Sequence, residues 1–349
     1  MPANPIYLDH AATTPLLPEA LAAMQDGWQL WANPSSPHAA GRAARAALEG
    51  ARARLKALLG WQGEVIFTSG ASEALALGIV RAKRGQVLVS AVEHDAALRA
   101  AGAAQRLEVG PDGLVILNST KMHLDGTKQP LIVVQQVNSE TGVVQNIAAI
   151  SEVVRAAGGV LLCDAAQAAG KLDIPVEADM VVLSAHKFGG PVGVGALLVR
   201  DWALLEPTGG QERGYRGGTE SLPLVLGMVA ALEAGNAWLK PASALRESLT
   251  NQLLENGAEI VAAESPRVPT IAAYRMPGKS SVAQLIRFDG AGIAVSAGSA
   301  CSSGSLKASH VLTAMGYAHP GEVIRVSIGR ETTEAEIARF VAVWKEIRG

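Results

Sequence analysis

The sequence predicts an α/β protein whose mostly parallel sheet is covered by helices on both faces, with a smaller α+β unit beside it. Three observations carry this. Short apolar runs recur without polar interruption, in EVIFT, QVLVS, LIVVQ, VLLCD, MVVLS and GALLV. A strand with one wet face alternates apolar with polar, so a run that does not alternate is buried on both faces, as in parallel sheets. Helical segments such as SEALALGIVRAKR and IAAISEVVRAAG fall between the runs, which is βαβ spacing. With 349 residues, 49% of them hydrophobic and 18% charged, the chain can bury one large core and a smaller one.

Taken in order, the elements place polar residues where such sheets bind ligands, at the carboxyl ends of strands. EVIFT closes on Ser69 and Gly70 and opens a helix at Ala71 and Ser72, where backbone N–H groups and the helix dipole would face a phosphate. The plainer alternative is that Ser72 is an ordinary N-cap with Glu73 in the first turn. QVLVSAVE delivers His94, an imidazole able to stack on an aromatic ring or carry protons, or simply a structural one. The run Val160 to Cys163 delivers Asp164, with Gln167 three residues on. A carboxylate there either caps the next helix or keeps a pyridinium nitrogen protonated. MVVLSA ends in Ser184, His186 and Lys187 before a glycine-rich stretch, and desolvation at such a place favours a neutral, nucleophilic amine.

After Asp201 the alternation fades, and GGQERGYRGGTESLP reads as a long loop that binds something or crosses an interface. A helix is expected over Leu224 to Trp238. The domain division expected is 15–240 for the large unit and 1–14 with 241–349 for the small one. A capping box at Thr333 and Glu336 opens the last helix, where Ile337, Phe340, Val341, Trp344 and Ile347 repeat at helical spacing for packing.

A net charge of −2 gives no basic field for nucleic acid, and Arg42 to Arg54 read as one polar helix face. No apolar run approaches the roughly 18 residues of a membrane span, and the N-terminus carries no signal pattern, so a cytoplasmic protein is expected. Two cysteines make no disulfide framework, and no CxxC or HExxH points to a metal. Cys163 sits inside an apolar strand and should be a small buried hydrophobe. Cys301, in AVSAGSACSSGSL, is set among small residues on a pliable segment, either as a tolerated turn thiol or as a thiol able to reach a bound substrate.

Together YLDHAATTP, NPSSPHAAGRAAR, EVIFTSGASEA, VEHDA, VNSETGVVQ, LLCDAAQAAGKL, SAHKFGGPVGVGALLVR, RGYRGGT, SAGSACSSGSL and IRVSIGRETTEAEI resemble successive motifs of the NifS/IscS-type cysteine desulfurases, in the class V group of fold type I pyridoxal phosphate enzymes. The resemblance spans nearly the whole chain. It implies that Lys187 is the Schiff-base lysine, Asp164 pairs with the pyridine nitrogen, Gln167 bonds the ring hydroxyl and His94 stacks on the ring. It implies that Ala71, Ser72, Ser184 and His186 surround the phosphate and that Thr219 reaches the phosphate of the other subunit, hence a homodimer. Arg325 would hold the carboxylate of L-cysteine with Asn138 beside it, and Cys301 would receive the sulfur as a persulfide for a sulfur-acceptor protein. Lys187 would move the α proton, alanine would leave, and a base such as His94 would help form the Cys301 thiolate.

Two departures stand out. Ser139 occupies a position where the family usually has a second asparagine, and segments around 100–125 and 245–290 are short. A class V aminotransferase or lyase for another amino acid, selenocysteine included, with Cys301 a bystander, is the alternative. A cofactor-binding sulfur carrier of poor turnover is a third.

Overall fold

Six strands of one sheet run in the same direction, and the edge where they end holds the chemistry. A computed structural model describes residues 5–298 and 308–349. Its strands are β1 (Ile6–Tyr7), β2 (Glu64–Thr68), β3 (Val87–Ser90), β4 (Gln105–Leu107), β5 (Leu131–Gln135), β6 (Val160–Asp164), β7 (Met180–Ser184), β8 (Gly195–Val199), β9 (Glu259–Ile260), β10 (Ile271–Arg275), β11 (Ile293–Ala294) and β12 (Val323–Ser327). The large sheet has the order β2-β8-β7-β6-β5-β3-β4. Only β8 runs against its neighbours, antiparallel to both β2 and β7.

The unbroken apolar runs behave as expected of strands covered on both sides. Along β5, Leu131 and Val133 join one core while Ile132 and Val134 join another. The first face packs on the helices Ala71–Val80 and Asp95–Ala101 through Ala74, Leu75, Ile79, Ala96 and Ala97. The second packs on Pro18–Gln29, Ala39–Leu58, Ile147–Ala156 and Leu222–Glu233. Cys163 is fully buried in the second core, and burial drives its thiol well above its ordinary pKa.

A separate core gathers Leu8, Leu249, Leu253, Tyr274, Phe288, Ile293, Ile324, Phe340 and Trp344 around the antiparallel sheet β12-β10-β9 and the parallel pair β1-β11. The last helix, Glu334–Arg348, has the expected capping box, Thr333 and Glu336 each bonding the other's backbone N–H.

Two expectations are corrected. The helix read as Leu224 to Trp238 runs from Leu222 to Glu233, with Pro223 in its first turn, where the missing N–H costs nothing. The arginines of the helix Ala39–Leu58 are not all solvated. Arg52 is buried, pairing through both terminal nitrogens with Glu212 at 2.8 and 2.9 Å and donating to Val65 O at 2.6 Å. Glu212 also accepts from Phe67 N at 2.9 Å, so a buried ion pair fastens the loop after Asp201 onto β2. Glu212 and Arg213 adopt positive φ, 47° and 56°, to make that inward turn.

Candidate active site

A cavity of about 470 Å³ opens along the carboxyl edge of the large sheet. Five of the six parallel strands lead into it. Residues 69 to 73 follow β2, His94 follows β3, Gln135 ends β5, Asp164 ends β6, and Ser184 ends β7 just before His186 and Lys187. Arg325 reaches the same cavity from β12 of the smaller sheet, and Ala11 and Ala12 close it from the N-terminal segment.

The cradle after β2 is built from backbone. Gly70, not Ser72, is the N-cap of the helix Ala71–Val80, and no side chain caps it. That overturns the plainer reading of Ser72, which sits one position past the start of the helix. The uncapped N–H groups keep their positive end for an anion. Gly70 has φ 147°, which glycine adopts without strain, and a Cβ on Gly195 would lie 2.8 Å from the Gly70 backbone. Glycine at both positions is what lets β8 run against the cradle.

Lys187 Nζ donates to the carbonyls of Ala11 at 2.8 Å and Ala12 at 2.7 Å. Gln167 Nε2 donates to the same Ala11 carbonyl at 2.8 Å, while its Oε1 is buried with no partner among the described residues. Asp164 accepts from Ala166 N at 2.9 Å through one oxygen, so it does cap the turn after its strand; it also lines the cavity. Burial pushes its carboxyl up to about 6, against that N–H and the charge of Lys187.

Burial, helped by Lys187, holds His94 and His186 down at about 4, so both rings are neutral near pH 7. His94 Nδ1 accepts from Ala96 N at 3.1 Å, which leaves the ring proton on Nε2. In that tautomer His94 presents a donor, and acting as a base for a thiol would require Nδ1 to release the helix it caps. His186 Nδ1 lies 3.2 Å from Thr13 Oγ1.

Two expected site residues fall elsewhere. Asn138 does not line the cavity, because its amide is engaged by the chain: Oδ1 accepts from Glu140 N, Thr141 N and Thr141 Oγ1, and Nδ2 donates to Val92 O. Its amide organises the turn after β5. Ser139, its neighbour, does line the cavity. Thr219 is exposed and away from its own chain's cavity. Cys301 lies outside the described residues.

Several neighbours went unread in the sequence. Lys171 is fully buried on two backbone carbonyls, Gln167 O at 3.1 Å and Lys187 O at 3.0 Å, and burial with the like charge of Lys187 brings it down to about 7. Glu93, behind His94, is fully buried and accepts from Gln135 N; burial raises its pKa well above the usual range. Asp9 pairs with Arg325. The only sequence signal for these was a charged residue in a segment otherwise made of small and apolar ones. No metal-binding group of His, Cys, Asp or Glu occurs among the described residues, and no helix among them is long and apolar enough to cross a membrane.

Comparison with known proteins agrees with this geometry. The family model for class-V aminotransferases matches residues 6–340. A cysteine desulfurase of Frankia sp. (strain EuIK1) is 37% identical over 373 residues, covering 95% of this chain and 88% of that protein. One from Klebsiella pneumoniae is 37% identical over 362 residues, covering 97% and 91%. Among solved structures, a NifS-like protein from Rickettsia africae ESF-5 superposes with a TM-score of 0.91 at 29% identity, over 99% of both chains.

Proposed function

Since the chain belongs to the class-V aminotransferases, and within them to the NifS-like cysteine desulfurases, we propose that it is a cytoplasmic, homodimeric, pyridoxal phosphate-dependent enzyme that converts L-cysteine to L-alanine and passes the sulfur to Cys301. One observation carries the reading: a single cavity gathers a lysine, a buried carboxyl, an uncapped helix start and a buried arginine from separate segments of chain.

The residues fit pyridoxal phosphate. Lys187 would hold it covalently, Asp164 would face its ring nitrogen, the unpartnered Gln167 Oε1 would meet its ring hydroxyl, and the start of the helix Ala71–Val80 with Ser184 and His186 would take its phosphate. When bound, the cofactor supplies an electron sink for the pair left on the substrate α carbon. With its carboxyl near 6, Asp164 is mostly carboxylate near pH 7, and a cation facing it holds it there at lower pH. Lys187 takes and returns the proton at the substrate α carbon. Arg325 holds the substrate carboxylate, a task its planar fork suits. The Cys301 thiol takes the substrate sulfur, giving a Cys301 persulfide and L-alanine with no outside oxidant or reductant; a sulfur-acceptor protein then removes it.

The departure at Ser139 leaves the seat of Arg325 intact. The contact there with Arg325 is made by the Ser139 backbone carbonyl, 3.1 Å from Nη1, which any residue supplies. Thr219, exposed on its loop, is taken as the residue offered to the partner subunit. The small unit of residues 1–14 and 241–349 is taken as a separate domain on the strength of the core joining Leu8 to Trp344.

Alanine and sulfide release from L-cysteine under reductant tests the reading. Wild type should turn over, Lys187→Ala should lose the absorbance of the bound cofactor, and Cys301→Ala should keep that absorbance but release no sulfide. Full activity in Cys301→Ala, with turnover of another amino acid, would replace the desulfurase by a class V lyase or aminotransferase.

A further inference from the structure

Arg325 is 4% exposed, and its nearest partner is not a ligand but Asp9, 316 residues away, at 2.7 Å from Nη2. The second contact is Nη1 to Ser139 O at 3.1 Å, and Nε is buried without a partner among the described residues. A guanidinium has five N–H donors. The two contacts take one N–H from each terminal nitrogen and leave the other on each for a ligand in the cavity. The other oxygen of Asp9 accepts from Ser296 Oγ at 2.9 Å, and Ser296 exchanges two backbone hydrogen bonds with Arg325, at 2.6 and 3.2 Å. Asp9 itself is bridged to Ser327 on the same strand as Arg325.

We propose that Asp9 is the positioning residue of the substrate wall, fixing the plane of the Arg325 guanidinium so that a carboxylate meets it in register. This rests on the reading of Arg325 as the substrate-carboxylate holder. A buried arginine without a counter-ion is strongly disfavoured, so some acid must accompany Arg325 while no substrate is bound. Asp9 does so through one oxygen only, which leaves donors for a second carboxylate, and Ser296 stops the Asp9 carboxyl from turning. Bidentate recognition of a carboxylate needs this orientation, since a planar fork off by more than roughly 10–20° loses one of its two bonds.

The test uses the cofactor-loaded enzyme and two ligands without sulfur, L-alanine and L-alanine methyl ester, titrated through the absorbance of the bound cofactor. Wild type should prefer the acid. Asp9→Ala should weaken L-alanine about 10-fold and leave the ester unchanged, with KM for L-cysteine rising by the same factor and kcat moving less than about 3-fold. Asp9→Asn, which keeps an oxygen acceptor for Nη2, should restore the preference to within about 3-fold of wild type. Should Asp9→Ala not fold, Ser296→Ala, which frees the far oxygen of Asp9, should still weaken the acid and spare the ester. An acid preference unchanged in Asp9→Ala, or Asp9→Asn as impaired as Asp9→Ala, overturns the proposal. Arg325→Met separates the two layers: if it leaves the preference intact, the carboxylate role of Arg325 has failed, whereas if it abolishes the preference and Asp9→Ala does not, only Asp9 has failed.

Discussion

The two walls of the cavity are built by different means. On the sheet wall, Asp164 and Ser184 end strands of a seven-stranded sheet and are placed by ladders of backbone hydrogen bonds, and Lys187 follows three residues after Ser184 in a short helical turn, its amine held by the Ala11 and Ala12 carbonyls. On the opposite wall, Arg325 is placed by side chains and carbonyls from three distant segments, Asp9, Ser139 and Ser296. A wall whose backbone is set by ladder ends is rigid; a wall centred on one ion pair depends on side chains from distant segments. The first suits a group that never leaves, and the second suits a substrate that comes and goes.

The sharpest break of that comparison is Asp164→Asn. The side chain keeps its size and its turn but cannot face a ring nitrogen with charge, and kcat should fall about 10²- to 10³-fold with KM little changed. Because the carboxyl of Asp164 lies near 6, wild-type affinity for the cofactor should drop as pH falls through about 6, where the acid form takes over, and Asp164→Asn should show no such step. Dialysis against cofactor on either side of that pH checks this. On the other wall, Arg325→Lys keeps the charge and loses the fork, so KM for L-cysteine should rise about 10- to 30-fold with kcat within about 3-fold. If both variants alter the same kinetic constant, the division of labour between the walls is wrong.

A third effect, on stability and not on turnover, concerns Lys171, buried on the carbonyls of Gln167 and Lys187. Lys171 has an ordinary pKa of 10.5 and about 7 here, so between those values the unfolded chain binds a proton the folded one does not. Stability of the cofactor-free protein should therefore rise with pH from this group, by up to about 1.4 kcal/mol per unit between roughly 7 and 10, and level off below 7, where both states are protonated. Urea melts of wild type and Lys171→Met at about pH 7 and 9 should show the difference, the variant lacking that slope.

The same contrast explains what could be read from the sequence. Asp164, Lys187, His94 and the turn at Ser69 were legible because each closely follows an apolar run, and a parallel sheet sends all such ends to one edge. The turn-forming bonds of Asn138 were not legible, because proximity in sequence to a strand end does not tell whether an amide turns outward or bonds its own turn. Arg52 looked like a surface arginine because its acid is 160 residues away, on a loop whose inward bend no local pattern announces. Asp9 was hidden for the same reason.

The large sheet raises a problem of alignment. Because its strands are apolar on both faces, sliding one strand by a single residue would exchange two equally greasy sides and go unpunished by solvent. What such a slip cannot survive is at the ends. Moving β6 or β7 by one would drag Asp164 or Ser184 into the dry interior, or leave an apolar residue at the rim. The groups kept for chemistry are thus also the punctuation of the sheet, telling each strand where to stop; replacing them with apolar residues would blur the register of the fold as well as silence the site.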